Sequence, residues 1–269
     1  MYKLFQLLPV FKGKIRLAKF LFYNKKDERT FKVQNDLTFT VPNITENVSL
    51  ELMVNGIYEP QLVDYICTEL PPNGIYIDVG ANVGALALQV AKKRSDVKVY
   101  AFEAAPSVFA FLKRNNENND LANLFIYNLA IHTQDDTSIP FYSPMHLNGK
   151  GSFAPVFTQE AVNVTTISLD TFFMQQLLQP NLIKIDVEGF EYLVLLSMKT
   201  FLKDNTQCKI VFEFVDWAEQ AAQFEIGQAQ DYIIQMDYQL KDLDSLIKVS
   251  QPIKTGSAML LATKNELKK

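Results

Sequence analysis

From residue 75 onward, short apolar runs alternate with segments of helical period. Residues 75–79, 97–102, 124–128, 182–185 and 209–215 have the length and composition of buried strands, and 84–93, 107–118 and 190–201 read as helices between them. Apolar strands separated by helices predict a parallel sheet covered on both faces. Further along, residues 238–243 and 258–262 read as two strands joined by a loop carrying Pro252 and Gly256, a hairpin that adds an antiparallel strand. Upstream, "YEPQLVDYICTELPPNG" is a helix with Leu62, Val63, Ile66, Cys67 and Leu70 at helical spacing, ended by Pro71, Pro72 and Gly74. Residues 30–56, rich in Thr, Val and Phe with Asn and Asp breaks, predict a hairpin or two. Residues 132–168, with "SPMHLNGKGSF" at the centre, are irregular and read as an insertion over the carboxyl edge of the sheet, where an open α/β sheet receives its ligand. The resulting division is an extension over 1–57 and a main domain over 58–269.

The first 26 residues carry a different pattern. Seven basic side chains (Lys3, Lys12, Lys14, Arg16, Lys19, Lys25 and Lys26) and no acidic one interleave with Leu4, Phe5, Leu7, Leu8, Phe11, Ile15, Leu17, Phe20 and Phe22. Three readings stay open: an amphipathic helix that covers the main domain, peripheral contact with an anionic membrane surface, or binding of an acidic substrate. Pro9 and the lysines after it, with no small-x-small site, fit a cleavable signal peptide poorly. No apolar run approaches the roughly 18–20 residues of a membrane-spanning helix. Cys67 and Cys208 form neither a CxxC pair nor a disulfide framework, and are expected as buried, reduced thiols of a cytoplasmic protein. In that compartment the N-x-[ST] sequences at Asn43, Asn47 and Asn163 have no glycosylation role. A net charge of -4 and a pI of about 5.3 argue against general affinity for nucleic acid.

The candidate chemistry starts in "YIDVGANVGALALQV", residues 76–90. A strand, a turn with Gly80 and Gly84, and a helix start leave backbone N–H groups and a positive helix end facing a ligand. The spacing is GxxxG with Asn82 between, not the G-x-G-x-x-G of dinucleotide enzymes, and no G-K-[ST] follows for a P-loop. Asn82 tolerates left-handed backbone angles, so it stands where a second glycine is common. Asp78, just before the first glycine, repels a pyrophosphate but suits a ligand with an ammonium. Glu103, 19 residues after Gly84, ends the next strand, where a carboxylate accepts both ribose hydroxyls. S-adenosylmethionine has the ammonium and the ribose and no phosphate, so the pair favours a methyl donor. The competing reading is a strand-end acid that caps a helix.

This stretch, together with "YEPQL", "VYAFEAAPSVFAFLKRN", "YNLAI", "ISLDTF", "LIKIDVEGFEYLVL" and "IVFEF" in the same order, resembles the FkbM-type methyltransferases from about residue 58 to residue 215. One departure is Ala105-Pro106, where the family often has proline directly after the Phe-Glu pair. The resemblance implies an α/β fold of the Rossmann-like class I methyltransferases: a seven-stranded, mostly parallel sheet in the order 3-2-1-4-5-7-6, with helices on both faces. It also implies S-adenosylmethionine as cofactor and, usually, O-methylation of a sugar or natural-product hydroxyl. Carried onto this chain, it places Asp78, Gly80, Asn82 and Gly84 on the methionine side and Glu103 at the ribose. Asn128 to Ala130 would lie beside the adenine, and Asp186 would reach the methyl-transfer centre. Tyr58 and Glu59 either close over the cofactor or simply begin a helix.

A hydroxyl acceptor benefits from a general base. Asp186, Glu188, Glu213, His132 and His146 are the candidates. Asp186 and Glu188 alternate along an extended segment and so face opposite ways, while Glu188 or Glu191 alternatively fixes the "EGFE" turn. His146, in a loop rich in Gly, Pro and Ser, is the histidine placed to fold over an acceptor; His132, directly after the third strand, is expected to be structural. Asp186, Glu213 and Asp216 end adjacent strands and offer oxygens to a divalent metal, but without a closely spaced cluster no metal site is assigned. Asp170 in "ISLDTF" is expected to cap the helix that follows. Phe141, Tyr142, Phe153 and Phe157 either stack on the acceptor or form the insertion's own core. Two other functions compete: an NAD-dependent oxidoreductase, favoured by Glu103 and opposed by Asp78, and a nonenzymatic binding module, motivated by the basic segment. The expected partner is a small-molecule or glycan acceptor, and the oligomeric state stays open.

Overall fold

The structure is a computed structural model that describes residues 2–8, 11, 13–22, 27–44, 46–143, 151–156 and 158–264. Helices α1 (Tyr2–Leu7) and α2 (Lys14–Phe22) precede a hairpin of β1 (Arg29–Lys32) and β2 (Thr38–Val41), then α3 (Asn47–Asn55) and α4 (Pro60–Glu69). The alternating part follows: β3 (Ile75–Val79), α5 (Ala85–Lys93), β4 (Lys98–Phe102), α6 (Pro106–Asn119) and β5 (Leu124–Tyr127). Strand β6 (Ala130–Ile131) leads into the insertion, which holds β7 (Ser138–Tyr142) and β8 (Ala161–Ile167). After it come α7 (Leu169–Gln176), β9 (Leu182–Ile185), α8 (Glu191–Ser197), α9 (Lys199–Asp204), β10 (Lys209–Val215), α10 (Asp216–Ala221) and α11 (Gln228–Gln235). Strands β11 (Tyr238–Asp242), β12 (Lys248–Val249) and β13 (Ser257–Lys264) complete the described chain.

The main sheet runs β5-β4-β3-β9-β10-β13-β11-β12. Strands β5, β4, β3, β9 and β10 are parallel, and β13 lies antiparallel to both β10 and β11. This is the Rossmann-like order 3-2-1-4-5-7-6, with one correction: the two-residue β12 pairs with β11 and makes the sheet eight-stranded. The central strands are apolar on both faces because helices cover both; Leu182, Ile183 and Ile185 of β9 are fully buried.

Three local expectations change. Residues 30–56 hold a single hairpin, and 47–55 is helix α3, because "SLELM" is made of good helix formers that bury Ser49, Leu52 and Met53 along one face. The insertion is not irregular: β8 pairs parallel with β6 and antiparallel with β7 in a three-stranded sheet of its own. The segment 190–201 is two helices, broken at Met198. Asp170 explains the break. It does not cap its own helix α7, which Ser168 caps by accepting from the Thr171 N–H at 3.2 Å. The Asp170 carboxylate instead accepts from the N–H groups of Thr200 and Phe201, each at 2.8 Å, and so starts α9 afresh.

The extension is fastened to the main domain. One continuous apolar core runs from Phe5 and Phe22 through Phe39 and Leu50 to Ile66, Leu86 and Leu112. The open edge of β2 is paired by asparagines of α6. Asn115 accepts from the Thr40 N–H at 2.6 Å and donates to the Thr40 carbonyl at 3.0 Å, and Asn119 does the same for Thr38, at 2.8 Å both ways. The side chains thus stand in for a missing neighbouring strand.

Candidate active site

A cavity of about 530 Å³ opens at the carboxyl ends of β3, β4, β9 and β10, within the roughly 300–1,000 Å³ usual for small-molecule sites. Asp78, Gly80, Asn82, Glu103, Ala130 and Asp186 all line it. Gly84 and Asn128 do not, and His146 lies outside the described residues, as does Phe157.

The first wall is built by backbone. Gly80 has φ 82°, and a Cβ there would lie 1.8 Å from the Asp186 carbonyl oxygen, so no side chain fits. The N–H groups of Gly80 and Ala81 both donate to the Phe102 carbonyl, which ties the turn to the end of β4. Asn82 takes the left-handed conformation with φ 54°. Gly84, at φ 86°, begins α5 behind the turn; a Cβ there would meet Leu88 at 2.3 Å. Glu103 closes the arrangement. One carboxylate oxygen accepts from the Asn82 N–H and the other from the Ala105 N–H, both at 2.9 Å. Burial pushes its pKa up to about 7 against the pull of those two donors. Each oxygen keeps a lone pair for a hydroxyl. Asn128, expected beside the adenine, has its side chain turned the other way: its amide donates to the carbonyls of Glu103 and Ala104 at 2.8 and 3.0 Å. It shapes the wall from behind, and Leu129, Ala130 and Ile131 present the surface.

The second wall is built by charge. Asp78 and Lys184 are direct neighbours across β3 and β9, and both are buried. Lys184 Nζ lies 3.6 Å from Asp78 and 3.1 Å from Asp186. Neither Asp78 oxygen has a hydrogen-bond partner. Burial raises the Asp78 carboxyl pKa while Lys184 opposes the rise; burial alone would lower the Lys184 ammonium, but Asp186, Asp78 and Glu59 hold it above its ordinary value. The cation that the sequence argument gave to a ligand of Asp78 is therefore supplied in part by the protein. Lys184 was missed, although a single charged residue in the buried run "LIKI" is itself a signal, because such a lysine requires a carboxylate.

Further carboxylates surround this pair. Glu59 begins α4 through its backbone, with φ 42°, but its side chain makes no cap; it lines the cavity hydrogen-bonded to Tyr58. Burial raises the pKa of both groups. Asp186 and Glu188 both line the cavity, contrary to the expected alternation, because Glu188 turns at φ 53° instead of continuing the strand. Glu191 fixes that turn by accepting from the N–H groups of Val187 and Gly189 at 2.9 and 3.4 Å, and burial pushes it up to about 8. Glu213 hydrogen-bonds Asp186, and its pKa is pushed up to about 8 by burial first and then by the charges of Asp186, Glu191 and Glu188. Asp216 is otherwise engaged: its oxygens accept from the N–H groups of Trp217 and Gly256 at 2.6 and 2.8 Å. Among the described residues no group of three His, Cys, Asp or Glu side chains is arranged to hold a metal.

His132 packs edge-on against Phe153, with ring centroids 5.6 Å apart, and Nδ1 accepts from the Gln134 N–H at 3.3 Å. Burial lowers its pKa, and it does not line the cavity. Phe153 also meets Phe141 and Phe190, each at 5.2 Å and near-perpendicular. All three of these phenylalanines face the cavity, so Phe141 and Phe153 of the insertion join Phe190 of the main sheet's crossover in one cluster that is also an apolar wall.

The profile of the methyltransferase FkbM domain matches residues 78–240, more than half of the chain. Hexuronic acid methyltransferase AglP of Haloferax volcanii is 31% identical over 150 residues, which cover 54% of this chain and 58% of that protein. Methyltransferase 1 of Beauveria bassiana is 25% identical over 175 residues, covering 57% of this chain and 70% of that protein. The chain thus spans little more than half the length of the first of these relatives. Among solved structures, precorrin-6y C5,15-methyltransferase from Geobacter metallireducens overlaps with a TM-score of 0.46 at 12% identity, over 78% of this chain and 90% of that one, too loose to carry a functional argument. With the domain match covering the strand ends that build both walls of the cavity, the chain belongs to the FkbM methyltransferase domain family.

Proposed function

We propose that the protein is an S-adenosylmethionine-dependent methyltransferase that methylates a hydroxyl group of a sugar or a related natural product. The observation that carries this reading is the charge of the cavity: among the described residues that line it, Asp78, Glu59, Asp186, Glu188 and Glu213 stand against one ammonium, that of Lys184. Such a site favours a cationic ligand and opposes a pyrophosphate, which weighs against the NAD alternative. When bound, S-adenosylmethionine supplies a methyl group activated by a sulfonium. Glu103 would hold the ribose hydroxyls, the turn from Gly80 to Asn82 would meet the donor through backbone, Ala130 and its neighbours would face the adenine, and Asp186 the methionine moiety.

The chain's own catalytic part falls to Asp186 and Glu213. Lys184, donating to Asp186 at 3.1 Å, positions its carboxylate beside Glu213, and the remaining acceptor capacity of Asp186 orients the acceptor hydroxyl and takes its proton. Methyl transfer is an in-line displacement, so fixing that oxygen supplies much of the rate. Phe141, Phe153 and Phe190 offer an apolar surface on which the C–H face of a sugar packs. The hexuronic acid acceptor named for the Haloferax relative supports the sugar class, while the carboxylates here favour an acceptor without a carboxylate beside its reacting hydroxyl.

Titration calorimetry tests the reading. S-adenosylmethionine and its demethylated product are expected to bind with about micromolar affinity, or about 8 kcal/mol. Absence of binding, or tighter binding of NAD, would overturn the proposal.

A further inference from the structure

Helices α1 and α2 each carry two apolar faces. The inner faces hold the pair on the protein. Phe5 of α1 and Phe22 of α2 are buried with ring centroids 6.0 Å apart, Ala18 is fully buried, and Gln6 donates to the carbonyls of Lys32 and Met53, each at 3.1 Å. Lys14, on the same stripe of α2, is buried and donates to the Leu8 carbonyl at 2.9 Å. The outer faces repeat the apolar spacing and stay exposed: Leu4 and Leu7 of the first helix with Leu8 just after it, and Leu17, Phe20 and Leu21 on the second, each set at i, i+3 and i+4. Leu7 and Phe20 are 81% and 80% exposed. Of the fifteen large apolar side chains exposed among the described residues, seven fall between Leu4 and Leu21, so this is a concentrated patch and not scatter.

Charge selects the occupant. The seven basic and no acidic residues of positions 1–26 stand against a chain of net charge -4, and Lys3, Arg16 and Lys19 are exposed next to the apolar stripes. A second copy seated on this face would bring the same positive segment against it. An anionic bilayer satisfies both features: headgroups meet the lysines and arginine, and the outer leucines and phenylalanines enter the acyl boundary. No helix among the described residues is long and apolar enough to cross a membrane, so the contact is one of lying on the surface. We propose that the outer faces of α1 and α2 form an interfacial docking surface for anionic lipid. The surface adjoins the cavity: Lys19 Nζ donates to Asn47 Oδ1 at 2.7 Å, and Asn47 and Val48 of α3 line the cavity, so docking brings its rim beside the headgroups.

Flotation of the full chain with phosphatidylcholine vesicles, with and without phosphatidylglycerol, tests this. Binding is expected on the anionic vesicles, weakening with salt, and little on phosphatidylcholine alone. The L7S/F20S variant should lose at least about tenfold in affinity while keeping the wild-type melting curve, because both side chains already sit in water. Lys3→Gln and Arg16→Gln should each cost about fivefold on anionic vesicles only. No binding of the wild type to any vesicle, or binding that neither set of substitutions changes, would overturn the proposal. So would a dimer in sedimentation velocity that L7S/F20S dissolves, since that assigns the face to a second copy. Vesicle binding and cofactor calorimetry are separate readouts, so this inference and the proposed activity fail independently.

Discussion

The two walls of the cavity solve the burial of acidic groups in opposite ways. Around Glu103, the polar partners are backbone N–H groups of Asn82 and Ala105, fixed by a turn in which Gly80 admits no Cβ. Around Asp78, the compensation is a charged side chain from another strand, at ion-pair and not hydrogen-bond distance. A backbone-made wall is rigid and locally encoded. A charge-made wall depends on one register between β3 and β9 and on the number of protons it holds.

The sharpest way to break the second wall is to remove the ammonium of Lys184. Lys184→Met leaves Asp78 buried without a counter-charge, and breaking a buried pair from one side costs about 3–5 kcal/mol. Urea unfolding of the ligand-free protein measures it. Adding Asp78→Asn removes the stranded charge, so the double variant should recover most of the loss. A loss under about 1 kcal/mol in the single variant would mean that Asp78 is held by something other than charge.

Glu103 tests the first wall with a smaller effect. Its pKa of about 7 places the carboxylate half-protonated near neutral pH, and the ionised form accepts from hydroxyl donors more strongly. Affinity for S-adenosylmethionine should therefore rise with pH, by up to about tenfold between about pH 6 and pH 8. Glu103→Ala is expected to weaken binding by about ten- to a hundredfold and to flatten that pH profile. A wild-type profile as flat as the variant's would remove Glu103 from the ribose site.

The same contrast explains what the sequence revealed. Gly80, Asn82 and the strand ends were readable because tight turns and parallel strands restrict residue type locally; the alternation of strands and helices gave a parallel sheet, and its order came only with the family resemblance. Lys184 gains its meaning only from pairing with Asp78 across two strands distant in sequence, a relation no local period shows. Asp170 misled for a similar reason: its acidic side chain sits in the first turn of α7 but serves α9, 30 residues on. Glu188 misled through a left-handed turn at a residue type that rarely takes one. In α3, the helix formers Leu50 to Met53 and packing on α1 and α2 outweigh the β-branched residues of the stretch around them. In the basic segment the inner face packs on the shared core, as the covering reading expects, while the outer face stays exposed.

The smallest expected effect concerns protons. Glu191 and Glu213 have folded-state pKa values of about 8 against an ordinary value of 4.5, raised in both cases by burial first. Between those limits the native state keeps protons that the unfolded chain has released, so the slope of unfolding free energy with pH is negative. Stability is present in full below about 4.5 and is lost as pH rises through about 8. The ligand-free protein should accordingly melt at a lower temperature at about pH 8 than at about pH 5. Glu213→Gln keeps a donor toward Asp186 and removes the charge that appears at high pH, so it should raise Tm by a few degrees at about pH 8 and leave it unchanged at about pH 5. Differential scanning calorimetry across that range decides the matter. A variant as pH-sensitive as the wild type would show that Glu213 does not carry the raised pKa, and the loss of stability toward about pH 8 would then rest on the other buried carboxyls, Glu191 first among them.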